Sequence, residues 1–188
     1  MRSTRSVPLS ISAEGGVRRI VRRNLTAMAG LAVLALAAAM AASLATWTVD
    51  DPSLSHATDH AARNVLGLPG AIVADLVMQF FGLASIVLLL PPAVWAWRLV
   101  FAAPSGFGWK TLATWLSATL LAALALAALP VFGTWPLPTG VGGVAGDLLL
   151  GIPALVTGGE PGGFVAAVLC ALSLIGAALL GLHACGLL

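Results

Sequence analysis

Polar positions along this chain do not alternate with apolar ones; they gather in short stretches that separate four long apolar runs. The first, Leu25 to Trp47, holds 23 uncharged residues. As a helix it measures about 35 Å, enough to cross a hydrocarbon core of about 30 Å. Asp50-Asp51-Pro52-Ser53 ends it, since proline removes a donor and keeps the preceding residue out of the α region. After a polar stretch through Asp59, His60, Arg63 and Asn64, a second span is expected over about 76–97. It closes on Trp95, Trp97 and Arg98, an aromatic and cationic edge suited to headgroup depth. Pro91-Pro92 near that end predicts a kink or termination of the regular helix. Pro104-Ser105-Gly106-Phe107-Gly108 reads as a turn, a third span is expected over about 111–132, and a fourth over about 164–186.

Between the last two spans lies a less regular region, residues 136–163, with nine glycines. Its apolar stretch Leu148 to Val156 is too short to cross and predicts an interfacial or re-entrant helix. A membrane barrel would need segments of about ten residues with alternating polarity, which the long runs lack. The expected fold is therefore all-α: a polytopic membrane bundle of four transmembrane helices with a short interfacial or re-entrant helix before the last span.

Composition agrees with the pattern. The 188 residues are 60% hydrophobic and 9% charged with a mean hydropathy of +1.03, whereas soluble domains carry about 25% charged residues. The net charge of +2 hides an asymmetry. Arg2, Arg5, Arg18, Arg19, Arg22 and Arg23 precede the first run, so residues 1–24 read as a flexible basic arm and residues 25–188 as the membrane domain. Because Lys and Arg are held on the cytoplasmic side, the count sets the orientation. With both ends in the cytoplasm, eight of nine cations fall inside and only Arg63 outside, together with Asp50, Asp51, Asp59 and Glu160. Arg18, Arg19, Arg22, Arg23, Arg98 and Lys110 are the topology-setting cations, and membrane lipids their expected partners. Arg22-Arg23-Asn24-Leu25 raises a twin-arginine signal as a competing reading, but the run exceeds the usual apolar length of about 7–15 residues and three more spans follow, so an uncleaved anchor is expected.

Candidate chemistry is sparse. Asp75 and Gln79, four apart, share one helix face near the outer interface, where pairing between segments explains them better than a proton or ion relay. Asp147 is the other candidate polar residue, inside the glycine-rich region. His56, Asp59 and His60 sit in a short loop without cysteine and read as a solvated turn, not a zinc site. His183 and Cys185 read as packing residues, and Cys170 and Cys185 do not suggest a disulfide framework. The glycines at 142, 143 and 146 lack the Lys-Ser or Lys-Thr of a phosphate loop. No Gly-x-Ser-x-Gly elbow is present, so no enzyme activity, cofactor, metal or direct nucleic-acid contact is expected. Small residues recur every four positions at Ala35-Ala39-Ser43, Thr119-Ala123-Ala127 and Ser173-Ala177-Gly181, permitting close helix approach or an oligomer. A small transporter or channel subunit is the alternative function, weakened by spans one and three offering only Ser and Thr hydroxyls.

The ordered series resembles the N-terminal membrane domain of the FtsK/SpoIIIE family of DNA translocases in its proteobacterial four-span form. The series comprises Arg22-Arg23 before an Ala/Leu-rich span, Asp50-Asp51-Pro52-Ser53, Asn64-Val65-Leu66-Gly67-Leu68-Pro69-Gly70-Ala71 leading to Ala74-Asp75, Gln79-Phe80-Phe81-Gly82-Leu83-Ala84, Trp95-Ala96-Trp97-Arg98 and Gly142-Gly143-Val144-Ala145-Gly146. The resemblance implies an anchor in the bacterial inner membrane that tethers an ATP-driven DNA motor at the division septum, with homo-oligomers and other division proteins as partners. It covers nearly all of the chain from Arg22 onward, and the family's linker, nucleotide-binding core and DNA-reading domain have no counterpart in these residues.

Overall fold

In lipid each backbone N–H and C=O must find its partner within the protein, and the described residues meet that demand with helices. A computed structural model describes residues 9–101, 108–131, 133–159 and 161–188, giving the backbone alone for 9–15, 156 and 157. The helices are α1 (Leu9–Ala45), α2 (Gly67–Phe81), α3 (Ser85–Phe101), α4 (Trp109–Ala127), α5 (Gly143–Thr157) and α6 (Gly163–Ala184). A 3₁₀ turn, Gly82–Ala84, joins α2 to α3. Four segments are long and apolar enough to cross a bilayer: Gly16–Ala45, Gly67–Phe101, Trp109–Ala127 and Gly163–Ala184. The four-span helical bundle read from the sequence is therefore the architecture observed.

Contacts fix the directions of the helices. At one end Ser43 Oγ donates to Gly70 O at 2.8 Å. At the other, Gly30 lies so close to α3 that a Cβ on it would stand 2.8 Å from Leu99 Cβ and 2.9 Å from Ala96 O. So α1 runs antiparallel to α3, while α2 crosses the end of α1, with Gly70 beside Ser43 and Asp75 beside Trp47. Likewise α6 runs antiparallel to α4, with Gly176 against Leu121 and Gly181 beside Ala118. These directions give the bundle two ends, one holding Asp51 and the other Arg98.

Alanine makes the core. Ala84, Ala122, Ala123 and Ala177 are buried together, with Phe81, Val87, Leu121 and Leu126 around them. Lipid tails are as apolar as leucine, so association rests on close packing, which small side chains permit. The small-residue stripes of the third and fourth spans serve this contact, burying Thr119, Ala123, Ser173 and Ala177. In the first span Ala35 is exposed, and the close approach is made by Ser43 of the stripe together with Gly30, which lies outside it.

Several boundaries differ from those the apolar runs suggest. Residues 9–24 are helical rather than an irregular arm, because no proline interrupts Leu9 to Ala45 and an existing helix propagates backward at one new hydrogen bond per residue; Arg2 and Arg5 lie outside the described residues. The second span begins at Gly67, with Pro69 in the first turn where its missing N–H is not needed. Asp75 thus lies two turns inside a helix. Of the kink or termination expected at Pro91-Pro92, termination does not occur, and α3 continues to Phe101. The break falls at Gly82 instead, whose φ of +53° ends α2. The short helix is longer than its apolar stretch, Gly143–Thr157. Residues 104–107 of the expected turn, Phe132 and Glu160 lie outside the described residues.

Candidate functional site

Polar side chains collect at the two ends of the bundle. At the first end Asp51, 3% exposed, accepts the backbone N–H of Arg63 at 2.8 Å on one carboxylate oxygen and that of Asn64 at 2.9 Å on the other. Asn64, also buried, donates from its amide nitrogen to Ser43 O at 2.8 Å and accepts from Leu66 N–H at 3.1 Å. Thr46 Oγ1 accepts the Val65 N–H at 3.1 Å. The loop between α1 and α2 is in this way tied to the end of α1 by side chains that replace missing backbone partners.

Asp75 and Gln79 are brought together as their spacing requires, with Gln79 Nε2 donating to Asp75 Oδ2 at 2.8 Å. The loop supplies the other donors: Ser55 Oγ at 2.6 Å to Oδ2 and Trp47 Nε1 at 3.4 Å to Oδ1. Gln79 Nε2 also donates to Ser55 Oγ at 2.7 Å. Asp75 is 6% exposed, so its carboxylate is spent on holding the loop over α2. Asp147 behaves similarly on a smaller scale, accepting the Gly140 N–H at 3.1 Å from an exposed position on α5.

The glycine-rich region packs into the break between α2 and α3. The break at Gly82 frees the Leu83 N–H, which donates to Val141 O at 3.1 Å. Gly82 is 16 residues before Arg98, about 24 Å of helix, which puts this bond toward the Asp51 end of the bundle, where Gly82 itself is buried. Only glycines allow the approach. A Cβ on Gly143, at φ +66°, would lie 2.7 Å from Gly82 N and 2.8 Å from Gln79 O; one on Gly142 would collide with Ala123 O, and one on Gly146 would sit 2.9 Å from Ala127 Cβ. The segment 141–146 is thus a wedge that satisfies the broken helix and seats the start of α5 against α4.

At the Arg98 end, tryptophans cap carbonyls. Pro92 has no N–H to give to Leu88 O, and Trp115 Nε1 on α4 donates to that oxygen at 2.9 Å. This replaces the helical bond that Pro92 lacks. Trp115 meets Trp95 edge-on with centroids 5.4 Å apart. Trp95 Nε1 donates to Ala184 O at 2.6 Å and Arg98 Nη2 to Gly186 O at 2.9 Å. The end of α6 is further closed by Leu187 N–H to Leu182 O and Gly186 N–H to His183 O, with Gly186 at φ +66°, the pairing of a Schellman cap. Arg98 also places a cation at a helix C-terminus, the favourable end of the dipole. Replacing Trp115 with Phe should leave Leu88 O unpartnered and cost about 1–2 kcal/mol. Adding Pro92→Ala, which restores a backbone donor, should recover most of it; unfolding of the two variants in lipid–detergent micelles checks this.

Arg18, Arg19, Arg22, Arg23 and Lys110 are exposed at this same end. His183 is exposed and Cys185 buried. Burial pushes the Cys185 thiol up and Arg98 offsets only part of that, which gives an unreactive thiol. Both cysteines are free. Among the described residues no three His, Cys, Asp or Glu side chains gather to hold a metal. His60 turns to Ala61 O, within its own loop.

Residues 22–186 match a family model described as the 4TM region of DNA translocase FtsK/SpoIIIE. Among curated proteins the chain is 47% identical over 150 residues to the DNA translocase FtsK of Brucella suis, covering 80% of this chain and 18% of that protein. It is 42% identical over 183 residues to that of Bradyrhizobium diazoefficiens, covering 97% of this chain and 22% of that protein. With the Caulobacter vibrioides protein of the same name it shares 33% over 128 residues, 66% of this chain and 16% of that protein. The chain therefore spans about a fifth of the length of the relatives it matches most extensively. No solved structure matches it.

Proposed function

Since residues 22–186 carry its four-transmembrane region, the chain belongs to the FtsK/SpoIIIE family, and from that premise we propose that it is the membrane anchor and interaction module of an FtsK-like DNA translocase. In this reading it holds an ATP-driven motor, lying C-terminal to these residues, at the division septum of the bacterial inner membrane and couples chromosome segregation to cell division. Homo-oligomers and other division proteins are its partners, and catalysis belongs to the motor.

One observation supports the reading above others: residue 9 and Leu188 leave the bundle at the same end, and that end carries Arg18, Arg19, Arg22, Arg23, Arg98 and Lys110. By the preference of cations for the cytoplasmic side this end faces the cytoplasm, where a motor must sit to reach DNA. The polar side chains of the other end are used to close loops. A transporter or channel has less support, since the Asp75 carboxylate is taken up by Trp47, Ser55 and Gln79.

A fluorescent protein that matures only in the cytoplasm, fused after Leu188, tests both parts of the reading. It should be fluorescent and collect at midcell in dividing cells. A dark fusion that becomes active as a periplasmic phosphatase would overturn the orientation, and an even membrane distribution would overturn the septal role.

A further inference from the structure

A 37-residue α1 measures about 55 Å, far more than the hydrocarbon core needs. Its excess lies at one end. Gly30 packs against Ala96 and Leu99, level with the Trp97–Arg98 edge of α3, so the 14 residues from Gly30 back to Gly16 carry α1 about 21 Å past that edge. This extension has two distinct faces. Val17, Val21, Leu25 and Met28, at i, i+4, i+8 and i+11, form one apolar line, each 51–65% exposed. At 100° per residue they lie about 140–180° round the helix from Gly30, pointing away from the bundle and continuing its lipid-facing side. Arg19 and Arg23 fall within about 20° of Gly30 and Arg22 about 80° from it, while Arg18 borders the apolar line about 20° from Leu25, and the exposed Ile20 lies about 80° from Gly30 on the other side.

An apolar line with two arginines opposite it and two more at its flank is the pattern of a helix lying in a membrane interface, with its oily side in the acyl boundary, its opposite cations toward water and its flanking cations reaching the phosphates. Among the described side chains, Asp51, Asp75 and Asp147 all serve the opposite end of the bundle, and Glu14 is the single acidic residue before Asp50 in the sequence against four arginines at 18–23. A second copy would bring four more arginines to the same place. We propose that residues 16–25 of α1 form an amphipathic helix that leans away from the bundle onto the adjoining leaflet and binds anionic phospholipid. The assignment to the inner leaflet rests on the orientation given above; contact with lipid does not.

The test is a spin-label scan of residues 17–25, one cysteine at a time, in the full chain carrying Cys170→Ala and Cys185→Ala, after its thermal unfolding has been matched to the parent. The protein is placed in vesicles of phosphatidylglycerol with phosphatidylcholine, and in phosphatidylcholine alone. With the anionic lipid, labels at 17, 21 and 25 should be open to oxygen and shielded from a water-soluble nickel chelate, while labels at 19 and 23 are open to nickel. In phosphatidylcholine alone, or with Arg18, Arg19, Arg22 and Arg23 all changed to Gln, nickel access at 17, 21 and 25 should rise several-fold. Uniform nickel access at all nine positions in anionic vesicles would overturn the proposal. So would labels at 17, 21 and 25 that are immobile and closed to oxygen and nickel alike, the signature of a protein partner. These readouts are independent of which way the bundle is inserted, which the reporter fusion measures separately.

Discussion

Gly142→Ala should be among the most damaging single-methyl changes this chain can suffer, costing about 3 kcal/mol or more and loosening α5 from the bundle. The added Cβ would run into Ala123 O and stand 2.8 Å from Ala127 N, both backbone atoms of α4 that cannot turn aside. Overpacking of this kind costs about 1–3 kcal/mol by itself. Relief by moving the segment outward would carry Val141 O away from the Leu83 N–H, leaving that donor without its partner for about 1–3 kcal/mol more. Gly151→Ala is the control. It lies inside α5, the helix that Gly142 precedes, with nothing within 4 Å of a Cβ, and there the exchange should be neutral or stabilising by up to about 1 kcal/mol. Unfolding midpoints of both variants in lipid–detergent micelles decide the matter; equal midpoints would mean that the wedge does not bind as tightly as its geometry requires.

The same wedge marks where the sequence stops being legible. Number of spans, their order and the short helix before the last one follow from lengths of apolar run against bilayer thickness, a one-dimensional comparison needing no knowledge of neighbours. Continuity of each helix does need neighbours. Pro91-Pro92 reads as an interruption because proline's lost hydrogen bond is a local fact, while the donor that replaces it comes from Trp115, 27 residues away on α4. Gly82 reads as one small residue in an apolar run, yet it ends α2, because the carbonyl that accepts from Leu83 arrives from Val141. Glycine at 142, 143 and 146 was visible as composition, and its purpose became visible only with α4 and the α2–α3 break beside it.

Candidate residues divide along the same line. Asp75 with Gln79 was readable because both lie on one helix, where spacing alone sets the geometry; Trp47 and Ser55, which complete the arrangement, come from the loop. Trp95 and Arg98 announce an interface by type, but their use as caps for Ala184 O and Gly186 O depends on α6 ending beside α3. The cationic residues before Leu25 were legible as charge. The placement of Arg19 and Arg23 opposite an apolar line, with Arg18 and Arg22 at its flank, emerges once residues 16–25 are helical, which an average over composition conceals.

Asp50 and Asp51 show the limit of reading residue types, and their separation is the second large expected effect. Adjacent and identical, they differ in that Asp51 is 3% exposed and accepts two backbone N–H groups, whereas the Asp50 side chain faces outward. Asp51→Ala removes both acceptors at once. The Arg63 and Asn64 amides then lose a charge-assisted partner each, at about 1.5–2 kcal/mol apiece, so about 3–4 kcal/mol in all. Loss of that grip also frees Asn64 from Ser43 O, the tie that seats the loop on α1. The loss should appear locally before it appears globally: hydrogen exchange at the Arg63 and Asn64 amides should accelerate by at least about a hundredfold, since each 1.4 kcal/mol of opening free energy is a factor of ten. Asp50→Ala should change stability by no more than about 0.5 kcal/mol and leave those two amides protected. If both variants exchanged alike, the loop would be held by the Asp75 cluster and not by Asp51, and Ser55→Ala would then be the substitution that releases it.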